Sequence, residues 1–103
     1  MIDYKNCKYE WDKGKNSLNI EKHKVSFSEA KTAFFDEYAV TLEDLTHSTY
    51  DENRLFLIGM SKRSRLLLVC HCIRFKNTVR IISARQAGPD WVQIYEDGGE
   101  GFD

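Results

Sequence analysis

The sequence predicts an α+β domain, and two observations carry that prediction. A capping box, Ser26-Phe27-Ser28-Glu29, opens a helix within the first third of the chain. After residue 53, three apolar runs follow one another with only turn-length gaps between them. Helices early and strands late is the α+β pattern; alternating helices and strands would point to α/β. The expected order is β-α-α-β-β-β-β, with a mainly antiparallel twisted sheet packed against two N-terminal helices.

Each element has a local reason. CKYEWD (7–12) alternates with period two, placing Tyr9 and Trp11 on one face of a short strand. Asp12 is positioned to cap a helix running to about Lys22. That helix is weakly apolar, but at 100° per residue Lys15, Asn19, Lys22 and His23 share one sector. In the second helix, to about Phe35, Phe27, Ala30 and Phe34 form a core-facing stripe. AVTLED (39–44) is a short strand, followed by a polar loop, LTHSTYDEN. RLFLIGMS (54–61), RLLLVCHCIR (65–74) and VRIISAR (79–85) form an antiparallel meander. The middle strands are apolar at nearly every position, so both sheet faces are expected to be largely covered. Strict alternation places Arg80 and Arg85 on opposite faces. Residues 1–88 form the domain. Residues 89–103 form an acidic tail, one or two helical turns over DWVQIYED and then a frayed GGEGFD.

Composition narrows the function classes. Hydrophobic residues make up 42% of 103, enough for one modest core, so the chain should fold. No apolar run reaches the length of a membrane span, and MIDYKNCKYEWDKGK lacks the apolar stretch of a signal peptide. Three cysteines with no framework spacing fit a reducing, cytoplasmic location. All 15 basic residues lie in 1–88, against 11 acids there, while residues 89–103 hold five acids and no base. A body of net charge +4 with an acidic tail suggests nucleic acid or an acidic partner.

Several chemistries are disfavoured. Cys70-His71-Cys72 puts two thiols on one strand face and the imidazole on the other, with no further converging ligands, so buried core thiols are expected and no metal. Phosphate-loop, nucleophile-elbow and zinc-protease motifs are missing. Glu43-Asp44 and Asp51-Glu52 read as solvated turn carboxylates. What remains is a set of cations and imidazoles: Lys15, Lys22, His23, Arg54, Arg65, His71, Arg74, Arg80 and Arg85. Together they suit RNA cleavage by the substrate's own 2′-OH, which needs no cofactor. The protein must position the backbone, move two protons and neutralise charge on the phosphate. Asn19, Tyr9 and Trp11 could hold or stack a splayed base.

EWDKGKNSLNIEKHKVSFSEA (10–30) resembles the opening of BrnT toxins, whose pattern is roughly WDxxKxxxNxxKHGVSFxEA. Arg54, Ile58, Gly59 and Ser61 fit the family's RxxxIGxS strand, and Arg65, Leu67, Val69, Arg74 and RIISARQA (80–87) fit its third segment. The resemblance implies a RelE-like fold and a ribonuclease toxin of a type II toxin–antitoxin system that stops translation. It implies a DNA-binding antitoxin as partner, with operator DNA met only through it, and no membrane. The expected catalytic group is Lys22, His23, Arg65 and Arg85. The expected RNA contacts are Trp11, Lys15, Asn19, Arg54, Arg74 and Arg80. Two departures stand out. Lys24 replaces the family's usual glycine, so a different helix exit is expected. The acidic tail replaces a basic C-terminal helix, which opens a second reading: a catalytically weak or inactive domain acting through antitoxin binding and operator co-repression.

Overall fold

A computed structural model of the chain describes residues 2–50 and 52–100. Asp51 and the last three residues of the GGEGFD segment lie outside the described residues. After a single 3-10 turn (Tyr4–Asn6), the elements are β1 (Lys8–Glu10), α1 (Lys13–His23), α2 (Phe27–Ala33), β2 (Val40–Glu43), β3 (Arg54–Met60), β4 (Leu66–Arg74), β5 (Thr78–Gln86) and α3 (Pro89–Glu96). The expected α+β order is present, with a third helix added at its end.

The five strands form one sheet in the order β1-β5-β4-β3-β2. β2 to β5 are antiparallel neighbours, whereas β1 pairs with β5 in parallel. The sheet is therefore mainly antiparallel, as expected, and the parallel β1–β5 pair corrects that expectation by making it mixed. The chain leaves β1 at one edge and enters β2 at the other, so α1 and α2 cross the whole sheet between them. β1 thus runs parallel to β5 and antiparallel to β2, so the two helices deliver the chain to the far edge in the opposite direction.

α2 lies on one face of the sheet. Val25, Phe27, Ala30, Ala33 and Phe34 pack there on Leu57, Leu67, Val69, Val79 and Ile81. Ser26 accepts a hydrogen bond from the Glu29 amide, as the capping box requires. Gly59 is dictated by this packing: a Cβ there would stand 2.5 Å from the Ala33 carbonyl oxygen. His71 is fully buried on the same face, against Phe34 and Tyr4. Its Nε2 accepts from the Tyr4 hydroxyl at 2.8 Å, which leaves Nδ1–H directed at the Val69 carbonyl. Burial holds its pKa down at about 4. It is a neutral core histidine, not a member of a cationic site.

The opposite face is covered in part by α3, which packs on β3 with Trp91 against Phe56 (ring centroids 5.2 Å apart). The Tyr95 hydroxyl donates to Asp36 at 2.7 Å. The one or two turns expected over DWVQIYED are a docked eight-residue helix.

α1 exits through Lys24 in the left-handed conformation, φ 60° and ψ 29°. The exit is the one a glycine would make, and the lysine bears the steric cost of its Cβ. Lys24→Gly is therefore expected to stabilise the chain by about 0.5–1 kcal/mol in urea denaturation. No gain would mean the left-handed geometry is unstrained here.

His71 generates a second expectation. In the unfolded chain the imidazole titrates near its ordinary 6.5; in the folded chain it resists the proton until about pH 4. As pH falls below 6.5, the unfolded state binds a proton that the folded state refuses. Stability should drop by about 2–3 kcal/mol between pH 6.5 and 4.5, above the range where carboxylates titrate. His71→Gln should flatten that slope in urea titrations; an unchanged slope would assign the loss to other groups.

Candidate active site

Three cross-strand rows build the floor of the site on the face away from α2. They are Arg54–Cys72–Arg80, Phe56–Cys70–Ser83 and Ile58–Leu68–Arg85. Arg80 and Arg85 are both on this face, contrary to strict alternation. The register shifts between Cys70 and His71: Cys70 pairs with Ser83, but His71 pairs with Ile81, so Ile82 is an extra residue. One β-bulge inverts the parity of everything beyond it. The arginines that bracket RIISAR therefore point the same way.

A pocket of about 240 Å³ opens above the middle row, lined by His23, Asp44, His47, Arg54, Phe56, Leu68, Cys70, Ile82, Ser83, Ala84 and Arg85. It is smaller than usual small-molecule sites and suits part of a longer ligand. Burial raises the Cys70 thiol to about 11, so it is protonated and no nucleophile. Among the described residues, no three His, Cys, Asp or Glu side chains are grouped to hold a metal.

His23 reaches the pocket from the β5 side. It is the last residue of α1, and α1 is fixed to β5 by Asn19. The Asn19 Nδ2 donates to the Ala84 and Val25 carbonyls at 2.8 Å each, and its Oδ1 accepts from the Ala84 amide at 3.1 Å. The side chain thus does for β5 what a neighbouring strand would do, beyond the point where β1 ends. Asn19, expected among the RNA contacts, is buried with its amide bonded to the backbone of Val25 and Ala84.

His47 and Asp44 enter from the β2 side, and the sequence reading missed both as site residues. Asp44 is no solvated turn residue: its side chain is 5% exposed and faces His47 Nδ1 at 3.0 Å. His47 itself is 63% exposed, with its other nitrogen left open. The signal lay in DLTHS, where an aspartate three residues before a histidine closes a local turn. Arg54 also lines the pocket, with Nε donating to Glu52 at 2.9 Å. Arg85 has no carboxylate within 4 Å among the described residues.

The remaining expected site residues divide. Arg65 belongs to the fold. It forks onto Glu29, with Nε donating to Oε2 at 2.9 Å and a terminal nitrogen to Oε1, and also reaches the Lys24 carbonyl at 3.0 Å. Glu29 is 4% exposed and also accepts from Ser61 at 2.7 Å. The Arg65 bond is the largest influence keeping the Glu29 pKa low. Trp11 packs edge-on against Phe27 at the core margin. Arg80 pairs with Glu10 at 2.8 Å, and Arg74 is exposed at the end of β4. Lys15 and Lys22 are exposed on α1. Of the ten expected residues, the pocket brings together His23, Arg54 and Arg85.

Fold and pocket together define a small α+β domain with a cationic, imidazole-lined groove on one sheet face. The chain belongs to the BrnT family: the model of the ribonuclease toxin BrnT of type II toxin–antitoxin systems matches residues 11–90. Its structure is similar to the crystal structure of the Brucella abortus ribonuclease toxin BrnT, with a TM-score of 0.60 and 24% identity, covering 80% of this chain and 97% of that one. At that identity the likeness speaks for the fold. None of the curated proteins matches the chain.

The split between structural and pocket arginines has a direct consequence. Arg65→Ala leaves buried Glu29 without its main partner and should cost about 3 kcal/mol. Arg85→Ala should change stability by less than about 0.5 kcal/mol. Urea denaturation of both variants checks this, and comparable losses would put Arg85 in the framework too.

Proposed function

We propose that this BrnT-family chain cuts RNA in the pocket between His23 and His47, without a metal ion, and thereby blocks translation until a cognate antitoxin binds it. The observation that carries the reading is the pair of imidazoles on opposite sides of a floor flanked by Arg54 and Arg85. In-line attack by a 2′-OH needs a base on one side of the phosphorus and an acid on the other.

His47 is the better base. Asp44 accepts its Nδ1–H and so leaves the Nε2 lone pair free, as an orienting carboxylate does elsewhere. The 2′ oxygen loses its proton to Nε2 and bonds to phosphorus. The P–O5′ bond breaks, and His23 as imidazolium gives the 5′ oxygen a proton. The products are a 2′,3′-cyclic phosphate and a 5′-hydroxyl. Arg54 and Arg85 meet the charge that grows on the phosphate oxygens. Permanent guanidinium charge can serve where other nucleases use a cation. In this reading Lys15 and Lys22 on α1 and Arg74 and Arg80 on the strands contact the RNA backbone further from the cut.

The test is cleavage of single-stranded RNA in EDTA by folded variants. His23→Ala and His47→Ala should each lower the rate by about 10²–10⁴-fold, and Asp44→Asn by less. Two histidine variants that cut at the wild-type rate, or a dependence on added metal, would refute the mechanism.

A further inference from the structure

A second depression adjoins the pocket and shares Arg85 with it. It is lined by Arg85, Gln86, Gly88, Pro89, Asp90 and Trp91. Three features bear on what it could hold. The Trp91 indole is half-buried and fixed against Phe56, so it offers a rigid aromatic surface at little entropic cost. The Asp90 carboxylate is exposed beside it, and exposed Gln86 also lines the depression. Arg85 stands where the two depressions meet, so a phosphate at Arg85 would place the adjoining nucleotide in the second one.

We propose that this depression is a base subsite that stacks the nucleobase next to the scissile phosphate on Trp91 and selects guanine through Asp90. The inference rests on the RNA-cleavage reading above. Stacking on an indole is available to every base and gives little selection. The carboxylate supplies it, because an ionised Asp only accepts hydrogen bonds. Guanine presents two adjacent donors on its Watson–Crick edge, N1–H and the N2 amino group, spaced for the two carboxylate oxygens. Adenine and cytosine each present one amino group beside a ring-nitrogen acceptor. Uracil presents one N–H between two carbonyls. Each of these three sets a lone pair against the carboxylate. The family match ends at residue 90, so Trp91 lies beyond it.

The experiment separates this idea from the cleavage mechanism. Binding is read first with 5′-GMP, 5′-AMP, 5′-CMP and 5′-UMP, using the folded His47→Ala full chain and its Trp fluorescence. A parallel Trp11→Phe background isolates the signal of Trp91. GMP should bind about tenfold more tightly than the other three. Asp90→Asn should erase the preference while weak stacking persists, and Trp91→Leu, read by titration calorimetry because it removes the fluorophore, should weaken binding of all four nucleotides. Equal affinity for the four, or a guanine preference untouched by Asp90→Asn, would overturn the subsite even if cleavage is normal. Mapping of cut sites by the wild-type chain is the second reading, with guanine expected beside the cut and lost in Asp90→Asn. An inactive wild type that still prefers GMP would refute the mechanism and leave the subsite standing.

Discussion

The site depends on one side chain standing in for a strand. β1 covers only the first residues of β5, and beyond Arg80 the β5 edge would be open. Asn19 closes it by taking both the amide and the carbonyl of Ala84. An unpaired edge is a liability, and buried unpaired backbone groups are costly. Here a single amide removes both problems and fixes α1 in register with the sheet. His23, one turn further along α1, inherits its position from that contact. The same contact lies next to the Ile82 bulge, which turns Ser83 and Arg85 toward the pocket. Helix docking, edge protection and the presentation of both His23 and Arg85 therefore meet at Ala84.

A second clamp works on the far side of the α1 exit. Arg65 joins buried Glu29 of α2 to the Lys24 carbonyl, while Glu29 also holds Ser61. The β3–β4 turn, the start of α2 and the end of α1 are thereby tied to one carboxylate. A planar guanidinium suits this role because one fork can satisfy a carboxylate and still reach a backbone oxygen. Lys24 can hold a left-handed conformation because the groups on both sides of it are fixed. The strain is tolerated where the surroundings over-determine the backbone.

Much of the fold was legible in the sequence. The caps at Asp12 and Ser26, the apolar stripe of α2 and the three-strand meander are local signals, and each appeared where the pattern put it. What was not legible was non-local. Parallel pairing of β1 depends on where two helices deliver the chain, which no window of sequence records. The shared face of Arg80 and Arg85 depends on a bulge, and one extra residue defeats any count by twos. The partners of Asn19 and Arg65 were not legible for a common reason: a polar residue on a helix or at a strand end looks the same whether it meets solvent or a buried partner. Asp44 and His47 were passed over because a polar loop resembles solvent-exposed connection until the sheet brings it beside Arg54.

The acidic C-terminal segment takes on a different meaning once its helix is placed. A flexible anion after a basic body would compete with RNA for the same cations. α3 is instead held at both ends, by Trp91 on Phe56 and by Tyr95 on Asp36. At 1.5 Å per residue, Glu96 and Asp97 lie about 9–10 Å along the axis from Asp90. That is close to one screening length at physiological salt. The acidic end faces the depression lined by Glu37, Tyr38, Val40 and Glu96, at the β2 edge and away from Arg85. Among the described acids of the segment, Asp90 alone lines the depression beside Arg85. The charge at Glu96 is thus directed away from the cations that would hold phosphate, and the Asp90 carboxylate left nearby is better placed to read a base than to repel a backbone.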